Sequence, residues 1–187
     1  LAHYFCTGEA LSTVFKDFKK TNKNAKLRAF VSATGSAGTI GAGDFLKETY
    51  GSKTVAVEAL ECPTLCYNGF GDHNIQGIGD KHVPLIHNVM NTDFVLALSD
   101  KASDHTFALY NTEAGREYLA TRCGVKKELI DNLKYLGLSS IANIISAIKT
   151  AKYMKLGKDD VIMTVATDGA RMYGSEKELI INRDFNG

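Results

Sequence analysis

The stretch Phe-Val-Ser-Ala-Thr-Gly-Ser-Ala-Gly-Thr-Ile-Gly-Ala-Gly, residues 30–43, constrains this chain more than any other. An apolar run turns into glycines, and the glycines lead into a helical pattern that reaches about Tyr50. This predicts a buried strand, a tight turn and a helix that begins near Thr39. Such a junction favours an anion. Turn amides and the positive end of the helix dipole converge on one point, where a phosphate can sit. Glycine lets the backbone approach a ligand closely and adopt positive φ. The hydroxyls of Ser36 and Thr39 add two more donors. The plainer alternative is that the glycines serve only tight strand–helix packing.

The rest of the chain supplies partners for that strand. Thr54 to Ala59 predicts a second buried strand, placed one helix later, so that a right-handed βαβ unit with parallel strands results. Phe94 to Leu98 and Val161 to Ala166 predict a third and a fourth strand. Among the helices, Thr7 is the expected N-cap of one that carries Leu11, Val14, Phe15 and Phe18 at helical spacing. Thr112 caps a second, which ends at Gly124, and Lys126 to Tyr135 makes a third. Ser139 or Ser140 caps a fourth, with Ile141, Ile144, Ile145 and Ile148 as its apolar stripe, and a polar helix follows Tyr173. Glu61 to Pro84 is glycine-rich and irregular, the composition of a functional loop. The expected fold is α/β: one domain over residues 1–187, an open, mostly parallel sheet with helices on both faces. Ligands of such sheets bind beyond the carboxyl ends of the strands. The turns at Gly35, Glu58 and Thr167 leave from those ends and are expected to line one rim.

Composition excludes several classes. A net charge of +1 gives no electrostatic case for nucleic acid or an anionic membrane. No apolar run approaches the ~20 residues that span a bilayer. Cys62 and Cys66 stand four apart, but no second pair or nearby His completes a zinc set among Cys6, Cys62, Cys66 and Cys123. Reduced structural thiols are the expectation, and with them a cytoplasmic protein. The chain starts at Leu1 rather than Met, and is expected to be a piece of something longer.

Glu58 lies 20 residues after Gly38, where a ribose-binding acid of a dinucleotide site would sit. Thr34-Gly35 and Tyr173-x-x-x-Lys177 are also similar to motifs of the short-chain dehydrogenases. The spacing fails, however, because Thr39 stands where that family has its second glycine. Tyr173 also lies 14 residues from the end of the chain, so the Tyr–Lys pair is expected to be incidental, on the surface of a terminal helix.

A second resemblance is more specific. Gly35-Ser36-Ala37-Gly38-Thr39 resembles the phosphate loop Gly-Thr-Gly-Gly-Thr of cysteine synthases, in the tryptophan-synthase-β-like (fold type II) family of pyridoxal-phosphate enzymes. Thr7-Gly8-Glu9-Ala10 is similar to that family's Thr-Gly-Pro-Glu. His73-Asn74-Ile75-Gln76-Gly77-Ile78-Gly79 resembles its His-Lys-Ile-Gln-Gly-Ile-Gly. Gly137-Leu138-Ser139-Ser140-Ile141-Ala142 resembles its Gly-Ile-Ser-Ser-Gly-Ala, and the four matches are collinear over most of the chain.

The resemblance implies that Gly35, Ser36, Ala37, Gly38 and Thr39 hold the cofactor phosphate, and that Gln76, Gly77, Ile78 and Gly79 pass close to the ring and the bound amino acid. It gives Ser139 the pyridine nitrogen, with Thr167 as the alternative hydroxyl. A hydroxyl there leaves the nitrogen essentially unprotonated and favours elimination over transamination. Ala37 departs from the family's glycine, and its Cβ disfavours positive φ, so the loop is expected to follow a different path there. The family's Schiff-base lysine and its carboxylate-gripping Ser/Thr-Gly-Asn loop come well before the glycine loop, and only 34 residues precede Gly35 here. The implied protein is therefore the C-terminal part of a homodimeric enzyme of β-elimination or β-replacement on serine- or cysteine-type amino acids. This piece is expected to be inactive, to hold little or no pyridoxal phosphate by itself, and to self-associate through exposed apolar edges. The alternative from another class is a non-catalytic phosphate-binding or regulatory module.

Overall fold

A computed structural model describes residues 1–186. Four parallel strands, β1 (Lys26–Ala33), β2 (Lys53–Ala59), β3 (Phe94–Leu98) and β4 (Asp160–Met163), form one sheet in the order β3-β2-β1-β4. The register runs from Ala29 opposite Lys53 to Ala33 opposite Val57, and from Val55 opposite Phe94 to Ala59 opposite Leu98. A shift between Leu27 and Ala29 marks an irregularity against β4.

Strand β1 is buried on both faces, as a central parallel strand must be. Phe30 packs with Phe15, Leu27, Ala42 and Leu46, beneath α1 (Gly8–Thr21) and α2 (Ile40–Tyr50). Ala29 and Val31 point the other way, into a cluster with Val55, Val57, Leu98 and Ala142 under α7 (Leu138–Tyr153). The intervening helices are α3 (Thr64–Tyr67), α4 (Asp100–Asn111), α5 (Glu113–Thr121) and α6 (Lys127–Leu133), and α8 (Gly174–Asp184) closes the chain. Phe107 of α4, Leu138 and Ile141 of α7, Tyr173, and Ile180 of α8 form a third cluster beside the sheet.

The structure corrects several expectations. Thr7 caps nothing: residues 3–7 form a wide π-type turn that runs straight into α1, and Thr7 is itself helical, its Oγ1 3.0 Å from His3 Nδ1. Val14 and Phe18 lie exposed, so α1 buries only the Phe15 side of its apolar set. β4 ends at Met163, three residues before the expected boundary. Helix α4 has no counterpart in the sequence reading; the side chain of Ser99 caps it by accepting from Ala102 N.

Helix α7 differs most. Ser139 and Ser140 lie inside it and cap nothing, while Ile148 is 52% exposed. Its buried face carries Ser139, Ala142, Asn143, Ser146 and Thr150. Asn143, 1% exposed, accepts from Ala33 N at 2.6 Å and donates to Val165 O at 2.9 Å. One amide side chain thus pins the helix to the carboxyl ends of β1 and β4.

Helix α4 is a strut between two neighbours. Asp104, fully buried, accepts from Asn74 Nδ2 at 2.9 Å and from Arg183 of α8 at 2.8 Å. Asp100 accepts from the backbone of Asn74 and Ile75.

Candidate active site

At the carboxyl rim the chain passes from β1 through Thr34 and the glycine turn into α2. Ala37 takes the left-handed conformation at φ 62° itself, contrary to the expectation that its Cβ would divert the loop. Its methyl is buried against Ile40 and Ala56, which offsets part of the strain. None of the backbone amides from Gly35 to Thr39 donates to an acceptor among the described residues. They stand at the N-terminus of an eleven-residue helix whose dipole adds to them.

A cavity of about 510 Å³ opens on this loop. Residues Ala33 to Ile40 line one side, Gln76 to Ile78 a second, and Ser139, Thr167 and Asp168 a third, with Met172, Tyr173, Ser175 and Glu176 at the remaining edge. Thr34, 7% exposed, lines it too, and its hydroxyl has no partner among the described residues. No lysine or arginine is among the lining residues. The donor set is therefore amides and hydroxyls, suited to an anion held without a counter-charge.

The segment Gln76–Gly79 is laid against the loop by a bond from Gly79 N to Thr34 O of 3.0 Å, with Gly77 and Gly79 both at positive φ. Gly79 itself borders a smaller neighbouring crevice instead of the main cavity. The oxygens of Ser139 and Thr167 lie 2.7 Å apart. One hydroxyl donates to the other, and the acceptor's own proton remains available to the cavity.

Asp168 is saturated. Its Oδ1 accepts from Ser140 N and Ser140 Oγ at 2.8 and 2.6 Å, and its Oδ2 from Ser139 N and the Tyr173 hydroxyl at 3.0 and 2.8 Å. Burial pushes its carboxyl up, but the Ser140 hydroxyl, the Tyr173 hydroxyl and the two amides together hold it below the usual range. Gly137 makes room for this: a Cβ there would come within 2.5 Å of the Asp168 carboxyl carbon. Tyr173 is buried ahead of α8, not on the surface of the terminal helix as expected, and its hydroxyl, pushed up by burial and by Asp168, is bonded to Asp168.

Glu58, at the carboxyl end of β2, lines the smaller crevice beside Thr34 and Gly35 and not the main cavity. Its carboxylate accepts from Leu65 N at 2.7 Å and Cys66 N at 2.9 Å, which removes the ribose-binding role that a dinucleotide site would need. All four cysteines are free, and no group of three metal-ligating side chains occurs among the described residues. No helix of the described residues is long and apolar enough to cross a membrane. Asp168, Tyr173 and Asn143 were missed as site-building residues. No local sequence signal marks Asp168 or Tyr173 for this network.

A parallel sheet with its glycine loop, its Gln-Gly-Ile-Gly segment and a hydroxyl pair around one rim cavity has the architecture of the fold type II pyridoxal-phosphate enzymes. A hydrogen sulfide-producing enzyme from Fusobacterium nucleatum shares it with a TM-score of 0.70 and 28% identity, over 95% of this chain and 46% of that one. O-Acetyl serine sulfhydrylase isoform 3 from Entamoeba histolytica shares the fold over 96% of this chain and 50% of its own, with a TM-score of 0.68 at 23% identity. In sequence, cysteine synthase B of Campylobacter jejuni subsp. jejuni serotype O:2 is 33% identical over 150 residues, which are 79% of this chain and 43% of the relative. Over most of its own length the chain is thus similar to cysteine-synthase-like proteins of that family. It spans less than half the length of this curated relative. No family model matches it.

Proposed function

We propose that this chain is the C-terminal part of a cysteine-synthase-like enzyme and supplies the phosphate and ring-nitrogen side of its cofactor site. The observation that carries the reading is the row of amides at Gly35–Thr39, without protein acceptors among the described residues, which faces the same cavity as the Ser139–Thr167 hydroxyl pair. Pyridoxal phosphate fits this donor set: a phosphate for the amides and the Thr34 hydroxyl, and a ring nitrogen for a neutral hydroxyl. When bound, it supplies the electron sink for β-elimination or β-replacement on a serine- or cysteine-type amino acid.

The chain's own residues bind, orient and shield. Gly35, Ser36, Ala37, Gly38 and Thr39 fix the phosphate, and Ser139 or Thr167 donates to the nitrogen without charging it. Gln76, Gly77 and Ile78 close one flank of the cavity, with Gly79 moored to Thr34 behind them. The Schiff-base lysine belongs to a preceding half, so the 187 residues alone are inactive, hold the cofactor weakly, and pair with that half inside a homodimer.

Intact mass and absorption spectrum of the parent gene product test this. A mass well above 20.3 kDa with a band near the visible edge is expected. A mass equal to these residues without such a band overturns it, and leaves the loop as a phosphate module.

A further inference from the structure

Three helix N-termini border the cavity: that of α8 carries its own carboxylate, Glu176, in the first turn, and those of α2 and α7 are treated in opposite ways. At α2 the amides of Gly35 to Thr39 donate to nothing among the described residues. At α7 the amides of Ser139 and Ser140 are both taken by Asp168. Either end alone would attract an anion, since both present N–H groups and the positive pole of a dipole. The carboxylate is also a good fit for its place. Its two oxygens accept four hydrogen bonds, which fills their capacity, and Gly137 leaves the space it occupies.

We propose that Asp168 is a built-in anion that closes the α7 N-terminus, so that the cavity has a single phosphate-binding end and a ligand carrying one phosphate can enter in one orientation only. The inference rests on the reading of Gly35–Thr39 as a phosphate loop. Asp168 is a positioning residue here: it touches the ligand's surroundings and selects the end at which negative charge is accepted. It also leaves the Ser139 and Thr167 hydroxyls facing a wall of no net attraction for phosphate, which reserves them for an uncharged acceptor such as a ring nitrogen. The unpartnered Thr34 hydroxyl belongs to the open end, next to the loop.

The test is titration of the isotopically labelled chain with inorganic phosphate, read by the amide resonances. In the native chain the amides of Gly35–Thr39 are expected to move and those of Ser139 and Ser140 to stay. In Asp168→Ala, Ser139 and Ser140 are expected to respond as well, with apparent affinity there raised about tenfold. Asp168→Asn keeps the size and one acceptor oxygen while removing the charge. It is the variant to use if the alanine form does not fold, and the same gain in smaller measure is expected. Equal response of both sites in the native chain, or silence of Ser139 and Ser140 in the variants while the loop still responds, overturns the proposal. Silence of the loop in every form, with a response at Ser139 and Ser140 confined to the variants, instead overturns the phosphate-loop reading and leaves the role of Asp168 intact.

Discussion

Ala37 sits at φ 62°, in the region that favours glycine, and its energetics nearly cancel. The left-handed conformation costs an alanine about 1–2 kcal/mol. Against that, its buried methyl contributes about 0.8 kcal/mol, and alanine gives up about 0.5–1 kcal/mol less backbone entropy than glycine on folding. Ala37→Gly is therefore expected to change stability by less than about 1 kcal/mol in urea denaturation. At His87 a titration decides. The ring is 7% exposed, its Nε2 is 3.0 Å from Thr92 Oγ1, and its Nδ1 is buried without a partner among the described residues. Burial lowers its pKa, with Asp44 opposing. The unfolded chain, with a histidine near its ordinary value of about 6.5, then binds protons that the folded chain refuses. Stability should fall as pH drops from about 7.5 to 5.5, and His87→Gln should flatten that slope. Denaturation midpoints at the two pH values check it; Asp44, whose carboxyl burial raises, acts in a more acidic range.

At the scale of elements, α7 is held by polar groups on its buried face. Asn143→Ala leaves Ala33 N and Val165 O without their partner and opens a cavity, at a cost of about 2–4 kcal/mol. Asn143→Leu should be no better, because it refills the volume but not the bonds. The same polarity explains what the sequence concealed. Strands β1, β2 and β3 and helix α2 were legible because short apolar runs and a glycine turn are local signals. The isoleucines of α7 promised a stripe that includes Ile148, yet the helix buries Ser146 and Thr150 and leaves Ile148 outside. In α4 the buried positions include Ser103 and Asp104, so hydrophobic periodicity had little to report. That the glycine loop and Gln76–Ile78 meet at one cavity was readable from motif and order. Asp168 and Tyr173 were not, because their partners lie 28 and 5 residues away in a network that no local pattern encodes.

For the molecule as a whole, the two flanks of the cavity share a mooring. Asn74 leads into Gln76–Gly79 on one side, and Arg183 ends the helix that begins after Tyr173 on the other; both hold Asp104. Apolar side chains also stand out on the loop after Pro84, where Leu85, Ile86 and Met90 are exposed, a surface that fits the proposed self-association. A carboxylate shared by two walls makes their opening a joint event. In Asp104→Asn, hydrogen exchange should quicken in Ile75–Gly79 and in the first turns of α8 together, by a common factor, while β1 and β2 keep their protection. Faster exchange in one wall alone would show that they breathe separately. If they move as one, the mouth of this cavity behaves as a single valve whose pivot is the buried middle of α4, a helix that contributes no residue to the lining.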